Sequence, residues 1–172
     1  MLVNLSDVLT SEGRQMTREV PLEMTRFEIG RESFEIIEKS PVSFVFTNVK
    51  EGKAKISGRV EITFQTSCAR CLTGVRTTLK LEFEHFVVSP GIEDTDVDDL
   101  SYMEGFQLDV DAFVHNEILV NWPVKILCRE DCKGICPVCG QNLNMGECGC
   151  DTFVPDPRMA VIQDIFNADK EV

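Results

Sequence analysis

Between residues 32 and 88 the apolar side chains fall on every second position. Val42, Phe44 and Phe46 share one parity, and Ala54, Ile56, Gly58, Val60, Ile62 and Phe64 keep parity through a second run. A third run carries Val75, Thr77, Leu79, Leu81, Phe83, His85 and Val87 on one side and Lys80, Glu82 and Glu84 on the other. Period-two alternation with one polar face predicts antiparallel strands covered on one side only. Lys50-Glu51-Gly52-Lys53 supplies the hairpin turn between the first two runs.

Outside these runs the pattern changes. Leu2-Val3-Asn4-Leu5 leads to Ser6-Asp7, a cap for a short helical turn, and the stretch from there to Ile29 shows no clear period. Ser89-Pro90-Gly91 ends the third strand, and Glu93, Asp94, Asp96, Asp98 and Asp99 make residues 89–105 an acidic loop. A solvated linker is favoured there over a cation site or a mimic of nucleic-acid charge. Asp109 is placed to cap a helix from Val110 to about Asn121, with Phe113, Val114 and Ile118 as its apolar stripe and Trp122-Pro123 as its stop. Asp156-Pro157 opens a last helix whose buried face is Met159, Ile162, Ile165 and Phe166. The expected fold is α+β: an antiparallel β-rich core able to curl into a barrel-like form, two packing helices and a C-terminal zinc-ribbon-like segment. The core domain spans 1–127, and the cysteine-rich segment with its helix spans 128–172.

A hydrophobic share of 43% in 172 residues is enough for one sizeable core. A charged leader with an apolar stretch and an apolar run of membrane-spanning length are both missing, so a soluble cytoplasmic chain is expected. What changes this picture is cysteine, of which there are eight. In a reducing compartment, paired cysteines read as metal ligands before disulfides.

Cys136-Pro137-Val138-Cys139-Gly140 is the sharpest local signal. Two cysteines two residues apart, with glycine after them, form a knuckle that aims both sulfurs at one point. Cys148-Gly149-Cys150 follows after a short loop and completes four thiolates for tetrahedral Zn²⁺. An iron centre is the lesser alternative. Cys68-Ala69-Arg70-Cys71 lies between the second and third strand runs, hence at a hairpin tip. No helix signal follows Cys71, so the low-pKa arrangement of a thiol oxidoreductase is disfavoured against metal. Cys128 and Cys132 remain, and counting assigns them with Cys68 and Cys71 to a second site. The competing partition draws Cys132 into the C-terminal site and leaves some thiols free.

His85 and His115 are the only histidines, one on a strand's apolar face and one on a helix, and both read as structural. Motifs for zinc proteases, phosphate loops and nucleophile elbows are missing, and a four-sulfur site leaves zinc no open position, so an enzyme is not expected. The net charge of −12 argues against a simple electrostatic nucleic-acid binder and fits a basic protein partner better.

The string Leu127-Cys128-Arg129-Glu130-Asp131-Cys132-Lys133-Gly134-Ile135-Cys136-Pro137-Val138-Cys139-Gly140-Gln141-Asn142-Leu143-Asn144, then Cys148-Gly149-Cys150 and Asp156-Pro157-Arg158-Met159-Ala160, resembles the YceD family of large ribosomal RNA subunit accumulation proteins. The upstream Cys68-Ala69-Arg70-Cys71 and the helix leading to Trp122-Pro123-Val124 resemble the same family. The resemblance implies a bacterial, non-enzymatic factor for 23S rRNA accumulation and 50S assembly, with large-subunit rRNA or a basic ribosomal protein as partner and neither membrane nor small-molecule substrate. Arg70, Arg76, Lys125, Arg129 and Lys133 lie near the cysteines in sequence and are candidate phosphate contacts. The rival readings are a zinc-stabilised protein-interaction adaptor that never touches RNA and a thiol oxidoreductase using Cys68 and Cys71.

Overall fold

A computed structural model describes residues 1–92 and 102–151. The expected helix from Asp156 and most of the acidic loop, Glu93 to Asp99, lie outside the described residues. The chain forms two compact units, Met1–Ser67 with Gly74–Ile126, and Cys68–Thr73 with the chain from Leu127 onward. The tip segment Cys68–Thr73 thus groups with the cysteine-rich unit, although it falls inside the 1–127 span.

The first unit contains β1 (Leu2–Asn4), α1 (Ser6–Thr10), β2 (Gln15–Val20), β3 (Arg26–Ile29), β4 (Glu32–Lys39), β5 (Val42–Lys50), β6 (Lys53–Ser67), β7 (Gly74–Val88), β8 (Met103–Glu104), β9 (Gln107–Asp109) and α2 (Val110–Val120). All strand pairs are antiparallel. β6 and β7 pair along their whole length, from Lys53↔Val88 to Ser67↔Gly74. The other edge of β6 is divided: β5 takes Lys53 to Arg59, and β4 takes Ile62 to Gln65. β2 then extends the β5 wing and β3 the β4 wing.

The sheet therefore forks and stays open, which corrects the barrel-like expectation. Closing a barrel needs one continuous run of neighbours that returns to its first strand. Here one strand carries two wings on the same edge, and β7 is bonded only to β6 among the described residues. Close strand approach occurs at Gly58, where an added Cβ would run into the Ser43 carbonyl oxygen and the Phe83 ring. A side chain at that position would push β5 and β7 off the strand between them.

The alternation follows the core as expected. Phe44, Phe46, Ile56, Ile62 and Phe64 are fully buried, while Lys80, Glu82 and Glu84 face outward. α2 lays Val110, Phe113, Val114 and Ile118 into that core. Its N-cap is Asp109, whose carboxylate accepts from the backbone N–H groups of Asp111 and Ala112 and so satisfies donors that the first turn leaves unpaired. Trp122 follows the helix and packs on Phe27, Phe34 and Phe64, with ring centroids 4.9, 4.7 and 5.2 Å away. Both histidines have partners within the first unit: His85 Nε2 meets the buried Glu117 carboxylate at 2.8 Å, and His115 Nε2 lies 3.2 Å from the Glu28 carbonyl.

Candidate metal centres

The second unit is organised around sulfur. Among its described residues the buried apolar side chains are Cys68, Cys71, Cys132 and Cys136 and no others. All eight cysteines of the chain are free thiols. They form two groups, Cys68, Cys71, Cys128 and Cys132 in one and Cys136, Cys139, Cys148 and Cys150 in the other, with sulfurs within 4.8 Å of one another in each.

Two knuckles with the same hydrogen bonds build these groups. In the first, Cys68 Sγ accepts from Arg70 N at 3.5 Å, and Leu72 N donates to the Cys68 carbonyl at 2.9 Å. In the second, Cys136 Sγ accepts from Val138 N at 3.4 Å, and Gly140 N donates to the Cys136 carbonyl at 2.9 Å. Each turn ends in a left-handed residue, Gly140 at φ 75° and Leu72 at φ 60°. Glycine adopts that conformation freely, whereas leucine is strained there by about 1–2 kcal/mol. The first knuckle holds its shape despite that strain.

The geometry fits a tetrahedral ion. A tetrahedron with metal–sulfur arms of about 2.3 Å has edges of about 3.8 Å. Cys68 Sγ lies 3.8 Å from Cys132 Sγ, and Cys71 Sγ lies 3.6 Å from Cys128 Sγ. Four sulfurs with no oxygen or nitrogen among them select a soft or borderline ion.

Three polar side chains that sequence reasoning did not single out surround the first group. Asn144 Nδ2 donates to Cys132 Sγ at 3.3 Å. Thr73 Oγ1 lies 3.3 Å from Cys71 Sγ and accepts from Asn142 Nδ2 at 3.3 Å. Asn144 Oδ1 in turn accepts from Lys133 N and from Arg129 Nη2, each at 2.8 Å. The only sequence signal for these roles is the crowding of amides, Gln141, Asn142 and Asn144, between two cysteine pairs.

The five candidate phosphate contacts are divided between the two units. Arg70 Nη1 donates to the Cys132 carbonyl at 2.9 Å, and Arg129 bonds Asn144 and Asp131. Arg76 pairs with Glu38 at 3.7 Å in the first unit, which also contains the exposed Lys125. Lys133 is exposed in the second unit.

The thiols of each group differ in their hold on protons. Burial pushes the Cys68 thiol up, but the backbone N–H groups of Cys71, Arg70 and Cys128 outweigh it and bring it down to about 6. Thr73 lowers Cys71. Backbone donors from Cys139 and Val138 bring Cys136 down to about 6. Burial and the neighbouring sulfurs push Cys128 up to about 12, and the neighbouring sulfurs Cys139 and Cys148 push Cys150 up to about 12. At neutral pH Cys128 and Cys150 each keep a proton that an incoming metal must displace. Apparent affinity is expected to rise about tenfold per pH unit for each proton released. Below about pH 6, where Cys68 and Cys136 protonate as well, each group has one more proton to release and the slope steepens by about a further tenfold per unit. Metal titrations between pH 5 and 8 check this, and an affinity flat with pH would contradict it.

The family of large ribosomal RNA subunit accumulation proteins, YceD, matches residues 56–166. The chain belongs to the YceD family. The match takes in most of β6, all of β7 and α2, and all eight cysteines, so the resemblance carried by the cysteine string holds. Curated relatives include uncharacterized proteins of Mycobacterium bovis and Mycobacterium tuberculosis, each 27% identical over 127 residues, 72% of this chain and 60% of theirs. The chain therefore spans about three fifths of the length of these relatives. The uncharacterized protein YlbN of Bacillus subtilis is 26% identical over 136 residues, 78% of this chain and 72% of its own length. No solved structure matches the chain. No helix among the described residues is long and apolar enough to cross a membrane.

Proposed function

We propose that this YceD protein is a zinc-stabilised, non-enzymatic factor of the bacterial cytoplasm that supports 23S rRNA accumulation and assembly of the 50S subunit. The observation that carries the reading is the family match over residues 56–166, which contains both four-cysteine groups. Zinc is assigned because an all-sulfur tetrahedral donor set is its structural signature, and such a closed site offers no position for substrate. The oxidoreductase alternative is weakened by burial of Cys68 and Cys71 and by β7, not a helix, following the knuckle.

Electrostatics favour a basic ribosomal protein over bare rRNA as the direct partner. The chain has a net charge of −12, and each zinc with four thiolates adds a centre of about −2. Arg70 and Arg129 are engaged in hydrogen bonds within the cysteine-rich unit. Depleting the protein is expected to reduce 50S particles and 23S rRNA relative to 16S in a ribosome profile. A normal profile would remove the ribosomal reading. Binding to purified rRNA with a steep salt dependence, weakened by Lys133→Glu, would instead favour direct RNA contact.

A further inference from the structure

The two cysteine groups are joined by a pair of amide side chains. Residues 134–143 form a miniature hairpin around the second knuckle. Leu143 N donates to the Gly134 carbonyl at 2.9 Å, Cys136 N donates to the Gln141 carbonyl at 2.8 Å, and Ile135 and Asn142 make a β-bridge. The close fit at Gly134, where an added Cβ would lie 3.3 Å from the Arg70 carbonyl oxygen, sets this hairpin against the first knuckle. Its return leg places Asn142 and Asn144 beside the first group.

The two amides hold each other. Asn142 Oδ1 accepts from Asn144 N at 3.0 Å and from Asn144 Nδ2 at 2.8 Å. Asn144 Nδ2 also reaches Cys132 Sγ, and Asn142 Nδ2 reaches Thr73 Oγ1 beside Cys71. The side chains that orient two sulfurs of one group are thus held by the loop that the other group closes.

We propose that Asn142 and Asn144 are positioning residues that couple the two metal sites, so that filling the Cys136, Cys139, Cys148, Cys150 site strengthens binding at the Cys68, Cys71, Cys128, Cys132 site. This rests on the reading of both groups as metal sites. The hairpin has no apolar core, so without an ion in its own knuckle it does not hold the amides in place. The first site then loses the donor to Cys132 and the orientation of Thr73. Loss of such outer partners typically weakens a metal site about 10- to 100-fold. Coupling of binding free energies is reciprocal, so the second site gains by the same factor when the first is filled.

The test loads the full chain with cadmium and follows both sites by cadmium NMR, with affinities from chelator competition. The wild type is expected to show two all-sulfur signals, and fewer than two would overturn the two-site reading itself. Given two signals, Cys139→Ser/Cys148→Ser is expected to weaken the first site about 10- to 100-fold, and Asn144→Ala to do the same with the second site intact. Combining them should weaken the first site no further than either alone. An unchanged first site in Cys139→Ser/Cys148→Ser would overturn the coupling. Full additivity of Asn144→Ala with that variant would show that the amides act independently of the second site, and would overturn it too. The fluorescence of Trp122, the sole tryptophan, reports that the first unit stays folded in every variant.

Discussion

Chelating the metal from the intact chain is expected to unfold the cysteine-rich unit and leave the β core standing. The two units differ in what holds them. The first encloses Phe27, Phe44, Phe46, Phe64 and Phe113 at full burial within one continuous apolar cluster. Among the described residues, the second buries only cysteine side chains in its interior. Structural zinc in such segments contributes about 10–16 kcal/mol at neutral pH, and that is folding free energy because no site exists in the unfolded chain. Nothing else in the described part of the unit approaches that size. Its hydrogen bonds to sulfur are worth about 1 kcal/mol each. Amide exchange across Leu127 to Asp151 should therefore speed up by several orders of magnitude on metal removal, while exchange in β6 and β7 stays slow. Cys136→Ser or Cys68→Ser should give the same result locally. Continued protection of the cysteine segment in the metal-free chain would remove the metal from its folding role. Parallel loss of Trp122 fluorescence would show that the core depends on it as well.

Acid should reach the same end point by another route. Cys68 and Cys136 have folded-state values depressed to about 6 from an unfolded value near 9. A depressed value contributes stability that is complete above about pH 9 and lost as pH falls through about 6. Cys128 and Cys150 are raised to about 12, so their contribution is present below about pH 9 and is lost only in strong alkali. Between pH 5 and 8 the linkage thus runs in one direction only, toward release of metal in acid.

How much of this could be read from the chain depends on the kind of information each feature needs. The β5–β6–β7 meander was legible because one face of each strand meets the core, and burial on one face writes a period of two into the sequence. β2 and β3 were not, because they lie at the outer ends of the wings and bury little: in β2 only Val20 is buried, and in β3 only Phe27. The fork was invisible for a different reason. Alternation tells which face of β6 is covered, but says nothing about whether one strand or two share its edge. Knuckle chemistry is local, so both CxxC turns stood out from spacing. Gathering Cys68 and Cys71 with Cys128 and Cys132 depends on chain paths that spacing does not encode, and counting alone left a rival partition open. Asn142 and Asn144 carry no local mark at all. In a loop, asparagine reads as a turn residue, and only three-dimensional placement turns these two into partners of sulfur.

The largest loss from a single change in the core is expected at Phe113, the residue through which α2 is fixed to the sheet. Its ring lies 4.9 Å from that of Phe83 and 5.8 Å from Phe44, on two different strands, and 5.0 Å from Tyr102 just before β8. The His85 ring, 5.6 Å away, sits over it while bonded to Glu117 one helical turn further along α2. Phe113→Ala would leave a cavity where a sheet, a helix and a loop converge, and none of the three can move in without breaking strand pairing or the helix. Such truncations cost about 3–5 kcal/mol, a large part of the roughly 5–15 kcal/mol that keeps a domain folded. The midpoint of thermal unfolding, followed by Trp122 fluorescence, should fall by about 10–20 °C. Phe113→Leu, which keeps most of the volume, should recover more than half of that. The same loss exposes Glu117, so the variant should also forfeit the His85 contact, and adding His85→Ala to it should cost little more. A shift of only a few degrees for Phe113→Ala would show that α2 is held elsewhere, through Val114 and Ile118, and that the aromatic cluster around Phe113 fills space without fixing the helix.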